Sequence, residues 1–162
     1  MNRQILITLI PVLICACASG PKFDVSGVDR ALTPRAAVAE RKIVANRSVL
    51  WGGVILKTTN LENDTRLEVL AYPLDGRQRP IRDSDPLGRF IAVYTGYLEP
   101  ADYAEGRMVT VLGTVGNTVA GKIGETDYTY PLLSPEKVYL WPREQSRALS
   151  NIQFGIGIGL GF

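Results

Sequence analysis

The sequence predicts a mainly β protein, namely a small antiparallel barrel of five to six strands with one or two short helices. Three observations predict this fold class. From Val49 onward the chain contains several runs that are rich in β-branched and aromatic residues, and such residues favour strands. Turn signals separate these runs at short intervals. Glycines also lie inside several runs, where a barrel strand must bend: Gly52, Gly53, Gly96 and Gly113.

The folded region is expected to begin with a short helix and a hairpin. Thr33 and Pro34 provide a capping residue and a first-turn proline ahead of the segment AAVAERK at 36–42. Two strands follow, SVLWGGVILKT at 48–58 and TRLEVLAYPL at 65–74. The polar residues between these two runs are typical of a turn, so the two strands are predicted to pair.

The middle of the chain predicts a third strand and a second short helix. The run RFIAVYTGYL at 89–98 has strand composition and follows a polar loop. The segment EPADYAEG at 99–106 places acidic residues at helical spacing and ends in glycine. This pattern predicts a helix of one to two turns.

Three further strands are predicted, at 108–115, 118–124 and 126–141. The Gly-Asn pair at 116–117 is a tight-turn signal between the first two, and the Ser-Pro pair at 134–135 is expected to interrupt the last. Three strands, a short helix and two or three more strands are the order expected of a partly open barrel of the OB type. A β-sandwich is the alternative architecture.

The first residues have the three-part layout of a secretory signal peptide. A positively charged start with Arg3 precedes an apolar run at 5–14 and then small residues. This run is too short to cross a bilayer as a helix. At the cleavage position the usual Ala-x-Ala is replaced by ICAC at 14–17, which resembles the bacterial lipoprotein box. The alternative is an ordinary secreted protein that is cut at another position.

The lipoprotein box also distinguishes between the two cysteines. Cys17 follows small Ala16, as the box requires, whereas Cys15 follows bulky Ile14. Cys17 is therefore the predicted lipidation site and the first mature residue. Ala18 occupies the position that governs sorting, and by the same resemblance it directs the protein to the outer membrane.

These signals divide the chain into four parts. A lipoprotein signal peptide at 1–16 precedes a lipidated flexible tether at 17–33, a β-barrel domain at 34–142, and a polar connector with a Gly-rich apolar tail at 143–162. The tether is expected because Gly, Pro and Ser recur there without a sustained hydrophobic period.

The tail, FGIGIGLGF at 154–162, has glycine at every second position. In an extended chain its apolar side chains share one face and the other face is bare backbone. Such a strand needs a neighbour for its backbone groups. We expect association with an envelope protein, with a second copy or with the membrane surface. The alternative is that the tail is mobile or pairs with an edge of its own barrel.

Composition limits the chemistry that the chain supports. Lys and Arg number 18, Asp and Glu number 16, and there is no His. Charge this close to balance provides no electrostatic basis for binding nucleic acid. Without His, a zinc site and the usual base for a serine nucleophile are both missing. We therefore predict no catalytic residue, cofactor or metal site. The acidic pair at 83–85 is interpreted as a solvated turn, with a hard-cation site as the alternative.

Tyr128 and Tyr130 are weak candidates for ligand binding. They are two residues apart in a predicted strand and so share one face. Aromatic side chains on OB-type barrels can stack on bases or sugars. If this face is exposed, it predicts a platform for a glycan or another ligand, and the alternative is that both rings fill or cover the core.

A series of segments resembles one known family. They are VLWGGVI at 49–55, LEVLAYPLDGRQRP at 67–80, GRFI at 88–91, GYLEPADYAEGRMVTVLGTV at 96–115, GKIGETDYTYPLL at 121–133 and YLWP at 139–142. Together they resemble the starvation-inducible outer-membrane lipoprotein (Slp) family of Gram-negative bacteria. The resemblance implies an outer-membrane lipoprotein associated with nutrient limitation and envelope stress. We expect the lipid-anchored domain to face the periplasm. No enzymatic activity is established for that family, so it implies a protein that is not an enzyme.

Two functions from different classes follow. The first is a non-catalytic envelope protein that acts through contacts with the membrane or with envelope partners. The second is a ligand-binding barrel that captures a small molecule, glycan or lipid fragment in the periplasm. A filled barrel with only surface patches would favour contacts, and a cleft ringed by exposed Tyr, Trp and Arg would favour capture.

Replacement of each cysteine in turn tests the predicted lipidation site. We expect Cys17→Ser to abolish acyl labelling and to release the protein from the membrane fraction, because the chain loses its acyl anchor. Cys15→Ser is the matched control and should do neither. Palmitate labelling of the Cys17→Ser protein would show that the site is assigned to the wrong residue.

Overall fold

The computed structural model describes residue 20, residues 23–40 and residues 44–143. Within these residues the elements are α1 (Pro34–Ala39), β1 (Ser48–Asn60), β2 (Asp64–Tyr72), β3 (Gly88–Thr95), β4 (Met108–Ile123) and β5 (Thr126–Leu140). The five strands form a closed barrel in the order β1-β2-β3-β5-β4. This architecture confirms the predicted small β-barrel. No helix in the described ranges has the length and apolar character needed to cross a membrane.

Most of the barrel is antiparallel, and one short parallel contact completes it. β1 pairs antiparallel with both β2 and β4, β2 with β3, and β4 with β5. β3 and β5 run parallel and pair only through Ile91 with Leu132 and Ala92 with Leu133. The seam between β3 and β5 is therefore the weakest part of the ring in hydrogen-bonding terms, as in partly open barrels.

The predicted first helix and first hairpin are both present. The Thr33 hydroxyl accepts a hydrogen bond from the Ala36 N–H at 3.2 Å, and Pro34 begins the helix. This arrangement satisfies an N–H that the helix itself leaves unpaired. β1 and β2 pair as predicted, with a register shift between Ile55 and Lys57.

The predicted turn at 116–117 is wrong, because β4 continues through it. A register shift between Val115 and Thr118 absorbs the Gly-Asn pair as an irregularity of the β4–β5 ladder. The chain turns instead at Gly124, where φ is +58° and glycine carries no steric penalty. β5 also continues through the predicted break at 134–135, because Ser134 and Pro135 both pair with β4 and a second register shift lies just beyond them, between Pro135 and Lys137.

The predicted helix at 99–106 is also wrong. The described backbone forms turns there, in which the N–H groups of Asp102 and Tyr103 both donate to the Glu99 carbonyl at 3.0 Å. Gly106 then donates its N–H to Ile55 of β1 at 2.9 Å. This tie to the barrel takes the chain away from a helical path, and Leu98 is buried while Tyr103 packs against the core.

Apolar side chains fill the barrel interior. Trp51 is 5% exposed and Val111 is fully buried. The Trp51 ring packs against Phe90 with centroids 5.3 Å apart, and its indole N–H donates to the Leu32 carbonyl at 2.7 Å. The largest fully buried apolar side chains are Phe90, Ile55, Leu67, Leu133, Val44, Val49, Val69, Val109, Val111 and Val115.

Residues 23–33, which were predicted to belong to a flexible tether, pack on the barrel instead. Phe23 is 4% exposed, and Leu32 is buried in the core cluster. Asp29 accepts hydrogen bonds from the N–H groups of residues 31 and 32 at 3.0 Å, and its carboxylate pairs with Arg47 at 2.7 Å. Burial of two apolar side chains and these polar contacts hold the segment in place.

Replacement of Gly53 by Ala tests the close approach of β1 to β2. A Cβ at Gly53 would lie 1.9 Å from the Leu70 carbonyl oxygen, whereas one at Gly76 would meet nothing within 4 Å. We expect Gly53→Ala to lower the free energy of unfolding by about 1 to 3 kcal/mol, because the backbones of β1 and β2 must move apart. Gly76→Ala should stay within about 0.5 kcal/mol of wild type. Equal urea midpoints for both variants would contradict this contact.

Candidate functional site

The outer faces of β1, β2 and β3 form a shallow groove of about 220 Å³, which we call the front groove. Its lining residues are Lys57, Thr59, Leu61, Arg66, Glu68 and Ile91. Strand alternation explains this set, because the neighbours Leu67 and Val69 point into the core. The register places Lys57 opposite Glu68, and Glu68 opposite Ile91 on the next strand.

The front groove combines charge with exposed apolar surface. Lys57 and Arg66 supply two positive charges against the one carboxylate of Glu68. Arg66 lies 3.7 Å from Asp64, and its side chain is half exposed. Leu61 at the edge is 46% exposed. An exposed leucine beside cations suits contact with an amphipathic surface that carries negative charge.

A hydrogen-bonded network borders the front groove where β2 and β3 meet the β4–β5 hairpin. The Arg89 guanidinium donates to Glu68 Oε1 at 2.8 Å. The Tyr130 hydroxyl donates to the same Oε1 at 3.1 Å. The Tyr128 hydroxyl accepts the backbone N–H of Arg89 at 2.9 Å. These bonds dock the hairpin on the outside of the barrel and hold the Glu68 carboxylate in one orientation.

The structure does not expose Tyr128 and Tyr130 as a two-ring platform, which corrects that expectation. Tyr130 is 4% exposed, and its ring meets Tyr128 edge-on at 4.7 Å. A Cβ at Gly121 would lie 2.9 Å from the Tyr130 ring, so glycine is needed there to admit it. Burial raises the pKa of the Tyr130 phenol, and the negative charge of Glu68 raises it further.

A second cleft, of about 330 Å³, lies beside residues 30–34 at one end of the barrel. Its walls include Trp51, Tyr72 and Leu87, and Arg30 and Gln78 are among its polar residues. The Gln78 side chain already bonds to the Phe23 backbone in both directions, at 2.9 and 3.3 Å. Arg30 is therefore the charged side chain that this cleft offers to a ligand.

Sequence reasoning missed the residues of the front groove. The signal that predicts them is the alternation of charged and apolar residues in β2 and β3, in which Arg66, Glu68 and Arg89 occupy outward positions. The predicted lipidation site Cys17, the sorting residue Ala18 and the tail at 154–162 lie outside the described residues. The ranges that the structure describes contain no group of three or more metal-ligating side chains.

These features define a small β-barrel domain. Its five strands form a closed ring, its interior is filled by side chains, and its polar networks lie on the outside. Residues 14–155 match the outer membrane lipoprotein Slp family. The chain belongs to this family, which confirms the resemblance found in the sequence.

The chain is also similar to three individual proteins. The chain is 38% identical to an uncharacterized protein of Haemophilus influenzae over 59% of its length and 52% of that protein. It is 32% identical to the uncharacterized lipoprotein YeaY of Escherichia coli, over 62% of this chain and 51% of that one. It is 26% identical to the outer membrane protein Slp of Escherichia coli, over 87% of this chain and 76% of that one. The chain thus matches about half the length of the first two. The family and its named members support an outer-membrane location.

Replacement of Tyr130 by Phe tests the network at the groove border. We expect a loss of about 1 kcal/mol in the free energy of unfolding at pH 7, because the bond to Glu68 is removed. The phenol has a raised folded-state pKa. The stability that the phenol contributes is therefore fully present below its unfolded-state pKa of about 10. It is lost as the pH rises through the folded-state pKa.

The variant should accordingly lose less stability than wild type between neutral and strongly alkaline pH. Urea denaturation at a series of pH values measures this difference. Glu68→Gln, which removes the charge next to the phenol, should reduce the alkaline loss part of the way. If the free energies of unfolding of wild type and Tyr130→Phe changed with pH in parallel, that result would contradict the raised pKa of the Tyr130 phenol.

Proposed function

We propose that the protein is held on the outer membrane by acyl chains at Cys17, faces the periplasm, and acts without catalysis by binding an envelope protein through the front groove. The observation that carries the proposal is the filled barrel: Phe90, Leu67 and Leu133 are fully buried in its interior. A barrel packed in this way holds no ligand inside, so recognition takes place on the outer surface.

Both ends of the barrel are covered as well. Ala37 of α1 is buried in the core at one end, and Leu98 and Tyr103 of the loop at 96–107 pack against the same core cluster. The Trp51 indole N–H donates to the Leu32 carbonyl, and this bond holds the N-terminal segment against the barrel. This geometry favours contacts over capture in the barrel mouth.

The front groove suits a protein partner better than a small ligand. Its volume of about 220 Å³ is below the ~300 to 1,000 Å³ of typical small-molecule sites. It has room for one or two side chains of a partner, with exposed Leu61 as an apolar contact. Lys57 and Arg66 would then meet acidic groups of that partner and orient it.

A role in envelope maintenance under starvation or stress is consistent with the Slp family resemblance. Lipid attachment fits this role, because two or three acyl chains at one residue hold a protein on a membrane durably without a transmembrane helix. The domain then meets its partners within reach of the same membrane.

The second candidate function is capture of a small molecule, glycan or lipid fragment in the cleft beside residues 30–34. The cleft volume of about 330 Å³ falls within the range of ligand sites, and Trp51, Tyr72 and Arg30 line it. Suppose that a component of an envelope extract binds the wild-type protein but not an Arg30→Ala variant. If the variant keeps the protein contacts of wild type, this result would favour the second candidate.

Photo-crosslinking in intact cells tests the proposed front-groove contact. A photoreactive residue at Thr59 or Ile91 should give a discrete adduct with an envelope protein, because both positions line the groove. The same residue at exposed Glu125, at the turn of the β4–β5 hairpin, is the matched control and should not. Arg66→Glu should reduce the yield about tenfold, since it places like charges across the contact.

Two results would contradict the proposal. One is the recovery of only lipid and abundant porins from Thr59 and Ile91. The other is an adduct whose yield is the same from Glu125 and is insensitive to Arg66→Glu.

A further inference from the structure

The segment that leads back toward Cys17 crosses one particular side of the barrel. Gly20 lies against Trp141, because a Cβ added to Gly20 would be 3.2 Å from the indole ring. Phe23 is 4% exposed, and its backbone N–H and carbonyl bond to the Gln78 side chain at 2.9 and 3.3 Å. We call the surface formed by Gly20, Phe23, Arg79, Lys137 and Trp141 the strap face.

Buried hydrogen bonds fix the strap face to the barrel. The Trp141 indole N–H donates to the Thr110 hydroxyl at 2.9 Å, and that hydroxyl donates to the Gln78 carbonyl at 2.8 Å. Thr110 is fully buried. Gln78 therefore connects Phe23 on one side to Thr110 on the other, and the N-terminal segment is held in a defined position rather than free to move around the barrel.

The distance from the strap face to the lipidation site is short. Two residues, Ala18 and Ser19, separate Gly20 from Cys17, and the three residue steps between them span at most about 10 Å even when fully extended. This step rests on the proposed lipid anchor. If Cys17 carries acyl chains, Trp141 and its neighbours lie close to the lipid headgroups.

The chemistry of the strap face matches that location. Arg79 lies 5.5 Å above the Trp141 ring, and Lys137 lies 5.3 Å from the Phe23 ring. Tyr139 meets Trp141 edge-on at 4.9 Å. Both rings are buried, with Trp141 5% and Phe23 4% exposed, so they support the cations rather than enter lipid. Lys137 is exposed, and anionic headgroups attract cations at a membrane surface.

Acidic groups beside the strap face have partners of their own. In the loop that carries Arg79, Asp75 Oδ1 accepts the backbone N–H groups of Arg77 and Arg79 at 2.8 and 2.9 Å. Glu136, next to Lys137 in sequence, accepts a hydrogen bond from Thr114 at 3.4 Å.

We infer that the strap face docks on the anionic headgroups of the leaflet that holds the lipid anchor, and that the domain has a fixed orientation on the membrane. Val54, Met108 and Trp141 form the apolar cluster under this face, on the side of β1, β4 and β5. The front groove lies over the other half of β1, β2 and β3. Docking therefore leaves the groove open for a partner.

Site-specific fluorescence quenching tests the orientation. The acylated mature chain would contain no free thiol, because Cys15 leaves with the signal peptide, so one introduced cysteine can be labelled uniquely. A fluorophore is placed at Arg77→Cys, in the loop of the strap face, or at Glu62→Cys, beside the front groove; both positions are exposed. The purified full chain is reconstituted in phosphatidylethanolamine–phosphatidylglycerol vesicles that contain headgroup-quencher lipid.

We expect severalfold stronger quenching at position 77 than at position 62. The double variant Arg79→Glu with Lys137→Glu should remove the difference. The matched double variant Lys57→Glu with Arg66→Glu should keep it, because those residues belong to the groove. Equal quenching at both positions, or stronger quenching at 62, would overturn the inference.

The mass of the purified chain distinguishes a failure of the lipid anchor from a failure of the proposed orientation. A chain without acyl mass at Cys17 overturns the proposed anchor and the orientation with it. A fully acylated chain with equal quenching at both positions overturns the orientation alone and leaves the anchor standing.

Discussion

The barrel depends on places where two backbones approach too closely for any side chain. A Cβ at Gly53 would lie 1.9 Å from the Leu70 oxygen, and one at Gly113 would lie 2.4 Å from the Ser134 oxygen. β1 pairs with β4 through its first half and with β2 through most of its length, so it must bend in order to pair with both strands. Glycine at these contacts lets the strands coil tightly enough to close a ring of five.

Tight closure decides where function can reside. A ring this small is filled by its own side chains, and α1 and the loop at 96–107 cover the ends, so chemistry is confined to the outside. There, two surfaces are built by different means. Strand alternation and register create the front groove around Glu68, whereas the N-terminal segment and the Gln78 loop cover Trp141 to create the strap face.

Local signals in the sequence succeeded where local forces decide the structure. The Thr33 cap and the β1–β2 hairpin follow from capping and from strand and turn composition, and both are present. The turn signal at 116–117 failed because β5 supplies a pairing partner on both sides of it, and a register shift costs less than breaking the ladder. The helix at 99–106 failed because the chain there bonds to Ile55 and packs on the barrel end.

The sequence by itself determined the family, the predominance of strands and the first helix, because these depend on residue type and on short-range patterns along the chain. Only the tertiary structure decided that Lys57, Glu68 and Ile91 meet in one groove, that Tyr130 is buried against Glu68, and that Gly20 rests on Trp141. The physical reason is register. Alternation sets whether a side chain points in or out, but its neighbours on other strands depend on bulges and ring closure, which no local pattern encodes.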